Sequence, residues 1–483
     1  MNIHDEAIEQ ILFENDLVNE WDDSVKNELK SISLSQDASR TDLSNQPFIT
    51  IDGEDAKDFD DAVFCKKKND QWVLSVAIAD VASIVKTGSK IDEAARQRGT
   101  SIYFPAKVLP MLPEEISNNL CSLVPNEKRN VLVCKIAFNS SGHIQSYNFF
   151  EAIIKSHLRA TYDSVEELIK KNGLVSAKIQ NSVNALRELT KTLINNRSQR
   201  GALELDSNEP ILKLDKLGQI KSIKNTKRLF SHLMIEESML AANICAAKFM
   251  CKNFGFGIYR IHEEPEDLKI DTLKQFFASK GLSLGSNNDS LKIINECLNF
   301  SKNHNLKKSM QTLVLQSLKR AEYSTEDIGH FGLQIEQYAH FTSPIRRYPD
   351  LIVHRLIKDK LCQRKMMLNK DHYEVECFEL SVLERQAEKI SRTVIQQIIC
   401  HHLKQFIGDN FKAIISGVTD FGIFAEIDNF YVSGLVHVSD LPGDRYMFDK
   451  ISGILKGKRT GKTFKQGQKI TVNIDNVLPY ERK

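Results

Sequence analysis

Six acidic residues fall within ten positions of "TIDGEDAKDFDDAV" (Thr50–Val63): Asp52, Glu54, Asp55, Asp58, Asp60 and Asp61. Like charges at that density repel, and two readings compete. One is a solvated loop, the usual fate of a charge run; the other is a set of carboxylates gathered around a divalent cation. The flanks favour the cation. "FITI" before the run reads as a buried strand, and "AVFC" and "WVLSVAIADVASIV" after it continue apolar segments. A solubilising run has no need to be gripped between core strands. Spacing excludes a calcium EF-hand, because counting from Asp52 puts Lys57 where the glycine belongs and Val63 where the glutamate belongs. Carboxylates without His or Cys nearby suit a hard ion, Mg²⁺ or Mn²⁺, which keeps several waters and is usually completed by substrate phosphates. The implied chemistry is on phosphate.

A second constellation supplies the opposite charge. "AHFTSPIRRYPDLIVHRLIKD" (Ala339–Asp359) places Arg346 and Arg347 at the start of a helical pattern, behind a Pro-bounded turn. Surface ion pairing is the ordinary fate of arginine. Against it, helix starts already favour anions, and the planar guanidinium matches phosphate better than lysine does. An acidic cluster for metal and an arginine cluster for phosphate are the parts of a phosphodiester-cleaving site, once a fold brings them together.

The elements that must do so can be read along the chain. Its 483 residues, with 41% hydrophobic and 27% charged side chains, imply a globular protein of more than one domain. A formal net charge of +2 neither supports nor excludes a nucleic-acid partner. The nine cysteines include no C-x-x-C pair and fall mostly in apolar segments, as buried free thiols of a reducing compartment do. The acidic N-terminus is no signal peptide and no stretch is apolar enough to cross a membrane, so a cytoplasmic protein is expected.

Residues 1–45 read as amphipathic helix and a polar connection, "SLSQDASRTDLSNQP", closed by Pro47. Residues from Phe48 to about Phe150 read as β-rich, with a helix at "KIDEAARQR" and a hairpin turning at Ser140–Gly142. Helical patterns follow to about Phe406, among them Phe230–Phe249, where Leu233, Leu240, Ile244 and Ala247 share a core-facing stripe. From Gly408, short apolar runs with Gly and Asp turns read as a small Greek-key barrel. Phe421, Phe424 and His437 stand among its strands, where such barrels present aromatics to bases; core packing is an equal reading for the two phenylalanines. A Lys- and Gly-rich loop follows, with Lys456, Lys458, Arg459, Lys462 and Lys465.

Four blocks, "TIDGEDAKDFDDAV", "YFPAKVLPMLPEEISNNLCSL", "EESMLAANICAAKF" and "GHFGLQIEQYAHFTSPIRRYPDLIVHR", resemble in order the successive blocks of the ribonuclease II and ribonuclease R (RNB) exoribonucleases. The C-terminal segment resembles their S1 RNA-binding domain. The resemblance implies an α+β fold: a catalytic RNB-type domain over 46–407, β-rich then helical, followed by an OB-type S1 barrel over 408–483. Residues 1–45 would be a helical linker. It further implies a monomeric, processive, hydrolytic 3′→5′ exoribonuclease that uses Mg²⁺, with Mn²⁺ as the alternative, acts on single-stranded RNA and releases nucleoside 5′-monophosphates. Asp52, Asp58 and Asp61 would hold metal, and Asp60 would be tied most directly to the chemical step. Arg346 would steady the scissile phosphate, Tyr162 would stand near the reacting end, and Tyr103 would stack on the 3′-terminal bases. Arg347, Phe421, Phe424 and His437 would bind RNA. Leu205, in "RGALELD", stands where ribonuclease II has a second aromatic clamp. The family's N-terminal cold-shock domains are not found in the sequence, and the S1-like segment reaches "ERK" without the closing strand, which together imply a weak grip on RNA. A non-catalytic RNA-binding protein on the same scaffold ranks second, and a metal-dependent phosphatase or nuclease acting on DNA third.

Overall fold

The computed structural model describes residues 3–32, 39–170, 174–205, 210–215, 218–225, 228–284, 289–304, 306–364, 369–427, 430, 432–449 and 453–483. The first six residues of the polar connection, 33–38, lie outside the described residues. Helices α1 (Ile3–Glu14) and α2 (Asp23–Ser31) open the chain. Strands β1 (Thr41–Asp42), β2 (Phe48–Asp52), β3 (Asp61–Lys68) and β4 (Gln71–Ala79) follow. After α3 (Val81–Ile84) and α4 (Lys90–Arg98) come a small hairpin, β5 (Ile102–Phe104) and β6 (Lys107–Leu109), and the long pair β7 (Lys128–Phe138) and β8 (Ile144–Thr161).

Six of these strands form one sheet in the order β1-β8-β2-β3-β4-β7, with β7 also paired to β8. The eighteen-residue β8 therefore closes the sheet on itself: its first part runs antiparallel to β7 and its last part parallel to β2. The β7–β8 turn lies where the sequence places it. Asn139 Oδ1 accepts from the N–H groups of Ser141 and His143, and Gly142 has φ of +77°, with Thr192 and Asn196 too close for any Cβ. Two registers matter below: Asp52 lies opposite Thr161, and Asp61 opposite Ile78.

The second part is helical, with one small hairpin and one long-range pair of short strands. It comprises α5 (Tyr162–Ile169), α6 (Ala177–Gln199), the hairpin β9 (Pro210–Leu214) and β10 (Ile220–Asn225), and α7 (Phe230–Phe254). Next come β11 (Tyr259–Ile261), α8 (Asp267–Ala278), α9 (Ser290–Lys302), α10 (Lys307–Ser317) and β12 (Glu322–Ser324), then α11 (Tyr348–Leu361) and α12 (Lys370–Leu403). The helix α7 is buried nearly all round, so the stripe expected for it is only part of its packed surface. Helices α7 and α11 pack into the main core with the sheet.

The C-terminal strands form two sheets. The first has the order β15-β14-β13-β19, from β13 (Asn410–Val418), β14 (Gly422–Ile427), β15 (Val432–His437) and β19 (Lys469–Asn473). The second joins β16 (Tyr446–Asp449), β17 (Ile454–Gly457) and β18 (Thr463–Phe464). They enclose a core of Ile415, Ile423, Leu441, Tyr446, Leu455 and Phe464. Helix α1 joins a separate core with α12, the β5–β6 hairpin, and Ile427, Phe430, Ile474 and Val477 from the C-terminal part. The architecture is the mixed α+β one that the sequence pattern implies. Among the described residues no helix is long and apolar enough to cross a membrane.

Candidate active site

The acidic run crosses from the end of β2 to the start of β3, and three long-range contacts fix its path. Arg159 Nη2 donates to the carbonyls of Gly53 and Glu54, both at 2.6 Å. Ser122 Oγ donates to the Lys57 carbonyl at 2.6 Å and accepts from Phe59 N–H. The Asp60 carbonyl accepts from Ala79 N–H on β4. The loop is a pinned bridge whose carboxylates face a cleft of about 1760 Å³, lined by Asp52, Asp58, Asp60 and Asp61 together with Tyr103 and Arg346.

The arginine block meets it from the far side. Ile345 N–H donates to Asp60 Oδ1 at 2.9 Å, and Arg346 Nε stands 3.5 Å from Asp60 Oδ2. Arg346 is held from behind, since Ser101 N–H and Thr100 Oγ1 donate to its carbonyl and its Nη2 donates to Ser343 Oγ. Tyr348 N–H donates to the carbonyl of Gly99, the left-handed residue (φ +66°) that ends α4. The fold thus joins residues 60 and 346, as the two constellations require.

The carboxylates are electrostatically unsatisfied. Burial, outweighing Arg346 and the Ile345 N–H, pushes the Asp60 carboxyl well above its ordinary range. Burial and the charge of Asp52 push Asp61 up to about 7, and Asp61 Oδ2 is buried without a hydrogen-bond partner among the described residues. Asp52 is raised by burial despite a hydrogen bond from Gly53 N–H. Acidic side chains outnumber basic ones around the cleft. Among the described residues no three His, Cys, Asp or Glu side chains stand close enough to hold an ion by themselves. A small hydrated cation that takes one or two protein carboxylates and fills its other positions with water and phosphate oxygens fits this arrangement. The Asp61 oxygen that accepts no hydrogen bond among the described residues is open to such a cation.

Comparison with known proteins places this site in a family. The RNB domain model matches residues 40–363, two-thirds of the chain, and the S1 RNA binding domain model matches 404–482. The chain belongs to the RNB family. It is 39% identical over 462 residues to Ribonuclease R of Escherichia coli (strain K12), covering 92% of this chain and 57% of that protein. The chain thus spans a little over half the length of the curated relatives it matches. Mycoplasma genitalium RNase R, solved in complex with ribose methylated single-stranded RNA, superposes with a TM-score of 0.92 at 30% identity, over 99% of this chain and 76% of that one. Yeast Ssd1, described as a pseudonuclease, shares the fold with a TM-score of 0.73 at 18% identity, over 93% of this chain and 58% of that one.

The other expected site residues divide. In the RNB domain, Tyr103 faces the cleft and its hydroxyl donates to Asp58 Oδ2 at 2.9 Å. Tyr162 begins α5 directly after Thr161, the partner of Asp52. Its ring stacks on His232 with centroids 3.9 Å apart, and burial with the charges of Asp52 and Asp61 raises its phenol. Arg347 turns away from the cleft: its Nη2 donates to the fully buried Asp350, which also accepts from Ser343 N–H, so it braces the turn that presents Arg346. Adjacent residues leaving a turn into a helix point in different directions, and the sequence does not say which faces out. Leu205 packs against the apolar cluster of α8, α9 and α10. In the S1 region, Phe421 is 45% exposed, Phe424 is half-buried and His437 is exposed; none of the three belongs to the core cluster, and the two phenylalanine rings meet edge to face.

Sequence reasoning missed the supports. Arg159, Ser122, Asp350 and Asn243 do not line the cleft, yet Asn243 accepts from Phe341 N–H and donates to the Tyr338 hydroxyl, fixing the segment that leads to Arg346. A polar residue inside the apolar run Met239–Ala247 was the available signal for Asn243. Arg159 and Ser122 had none.

Proposed function

We propose that this chain is a hydrolytic 3′→5′ exoribonuclease that processively shortens single-stranded RNA to nucleoside 5′-monophosphates. The observation that carries the reading is the meeting of Asp60 and Arg346, 3.5 Å apart, in a cleft that also gathers Asp52, Asp58 and Asp61. The named relatives Ribonuclease R and the RNA-bound structure of one RNase R support it. Asp52, Asp58 and Asp61 would hold Mg²⁺, or Mn²⁺ in its place. When bound, the ion offsets charge on the reacting phosphate and makes a water more acidic.

The chain's own groups do the rest. Arg346, with its guanidinium half-exposed beside Asp60, binds a phosphate oxygen and offsets the charge that grows on it. Asp60 sits where it can take the proton of the attacking water, and burial raises its proton affinity in the direction a general base near neutral pH needs. Tyr103 offers a ring face for the terminal base, Tyr162 lies beside Asp52 at the reacting end, and Phe421, Phe424 and His437 offer a second surface for RNA. Arg347 acts through the turn that holds Arg346. We divide the chain into a helical segment over 1–45, a catalytic domain over 46–407 and an S1-type domain over 408–483, and read it as a monomer of the cytoplasm.

The test is incubation of the protein with 5′-labelled RNA and DNA of one sequence, with Mg²⁺ or a chelator, and chromatography of the released products. Nucleoside 5′-monophosphates from RNA alone, and only without chelator, are expected. RNA binding with no release under any metal condition would favour the second reading, a non-catalytic RNA-binding protein.

A further inference from the structure

Stacking uses only the ring of Tyr103, and a phenylalanine would serve it as well. The hydroxyl is nevertheless placed with care. Ile102 and Phe104, on either side, are buried in the core shared with α1, so strand alternation turns Tyr103 outward into the cleft. The Tyr103 carbonyl accepts from Ser391 Oγ on α12 at 2.8 Å, and the hairpin turns through Ala106 at φ +60°, a conformation costly for a residue with a Cβ. The backbone of Tyr103 is thus anchored, and its hydroxyl reaches Asp58 Oδ2.

Asp52 and Asp60 are oriented by backbone N–H groups, from Gly53 and Ile345. Asp58 takes its orientation from a side chain. We propose that Tyr103 is a positioning residue for the cation, its hydroxyl fixing Asp58 as a metal ligand, so that one side chain couples the seat of the RNA end to the metal. An ionised carboxylate accepts on both oxygens, so Oδ2 can hold the phenol while Oδ1 remains for the ion. Partners of this kind, one step removed from a metal, change metal affinity by about 10–100-fold when removed.

The inference rests on the proposed function, and direct Mn²⁺ binding separates the two. Free Mn²⁺ is counted by electron paramagnetic resonance during titration of the full chain, of Tyr103→Phe and of Tyr103→Trp, with melting measured in chelator. Both variants should bind Mn²⁺ roughly 10-fold or more weakly at an unchanged melting temperature in chelator. Variants that bind Mn²⁺ as tightly as the unmodified chain, or more tightly, would overturn the inference and leave the functional reading standing. An unmodified chain without saturable Mn²⁺ binding would overturn both.

Discussion

Asp61 opens β3 and Asp80 directly follows the neighbouring strand β4 as the cap of α3, both with buried carboxylate oxygens, and the protein treats them in opposite ways. Asp80 accepts from Arg40 at 2.6 Å and from Lys358 at 2.7 and 2.6 Å, and Glu151 joins the same two cations. Burial alone would raise its pKa, but Lys358 and Arg40 outweigh burial and hold it below the ordinary range. Asp61 feels Arg346 through space, but burial and Asp52 outweigh it: one oxygen has no hydrogen-bond partner among the described residues, and the pKa is raised to about 7. The fold can neutralise a buried carboxylate where only cohesion is at stake. Asp61 keeps one buried oxygen without a hydrogen bond among the described residues, which suits the cation proposed for the cleft.

The largest effect should follow from breaking the satisfied side. Lys358→Met removes one of two cations from Asp80 and unties α11 from the sheet, and losing one partner of a buried ion pair costs about 3–5 kcal/mol. Denaturant unfolding should record that loss; a change under about 1 kcal/mol would mean that the network behaves as a surface one and the contrast with Asp61 is false. On the unsatisfied side, Asp60→Asn should lower the hydrolysis rate by about 10²-fold or more, while RNA affinity changes little, because the cleft's other RNA-binding groups remain. Single-turnover kinetics beside a binding titration decide it. Near-normal turnover would remove Asp60 from the chemistry.

What the sequence disclosed and what it hid follow the same divide. The acidic run was legible because six carboxylates between core strands have no bland structural use, and Arg346 because a guanidinium at a helix start suits phosphate. The hairpin at Ser140–Gly142 and the helix at Lys90–Arg98 were legible from the local sequence. The satisfied network was not: Arg40, Asp80, Glu151 and Lys358 are scattered across most of the chain, and each alone is an ordinary charged residue. The inward turn of Arg347 onto Asp350 was equally hidden, since only the backbone path out of Ser343 sets it. Local signals name the residues proposed to do chemistry, and long-range contacts name those that hold them.

Asp61→Asn sharpens the comparison with a sign. Its raised pKa means that ionising Asp61 in the metal-free fold is unfavourable. That penalty is absent below the ordinary carboxylate value near 3.8 and complete above about 7. In chelator at pH 8 the variant should therefore be more stable than the unmodified chain by on the order of 1–3 kcal/mol, and the difference should vanish as pH falls to about 4. Mn²⁺ should raise the melting temperature of the unmodified chain more than that of the variant. A variant less stable in chelator would show that Asp61 is already satisfied.

The smallest effect concerns charges that are neither buried nor paired with each other. The β17–β18 hairpin exposes Lys456, Lys458, Arg459, Lys462 and Lys465. The acid among them, Asp444, is turned to another use: it accepts from the N–H groups of Thr460 and Arg459 and from Thr460 Oγ1, and the Thr460 N–H foremost holds its carboxyl down at about 2. Asp444 stiffens the loop and leaves the cations facing solvent, where screening makes each contribute little alone. If they follow an RNA backbone, replacing Lys458, Arg459 and Lys462 together with Gln should lower the slope of log affinity against log salt by roughly 0.7 for each phosphate that is no longer neutralised. Affinity should then fall equally across RNA sequences, and the rate at saturating RNA should hold, because the cleft's own groups are untouched. An unchanged slope would make the hairpin a solvated face and confine the protein's working electrostatics to the unsatisfied carboxylates around Asp61.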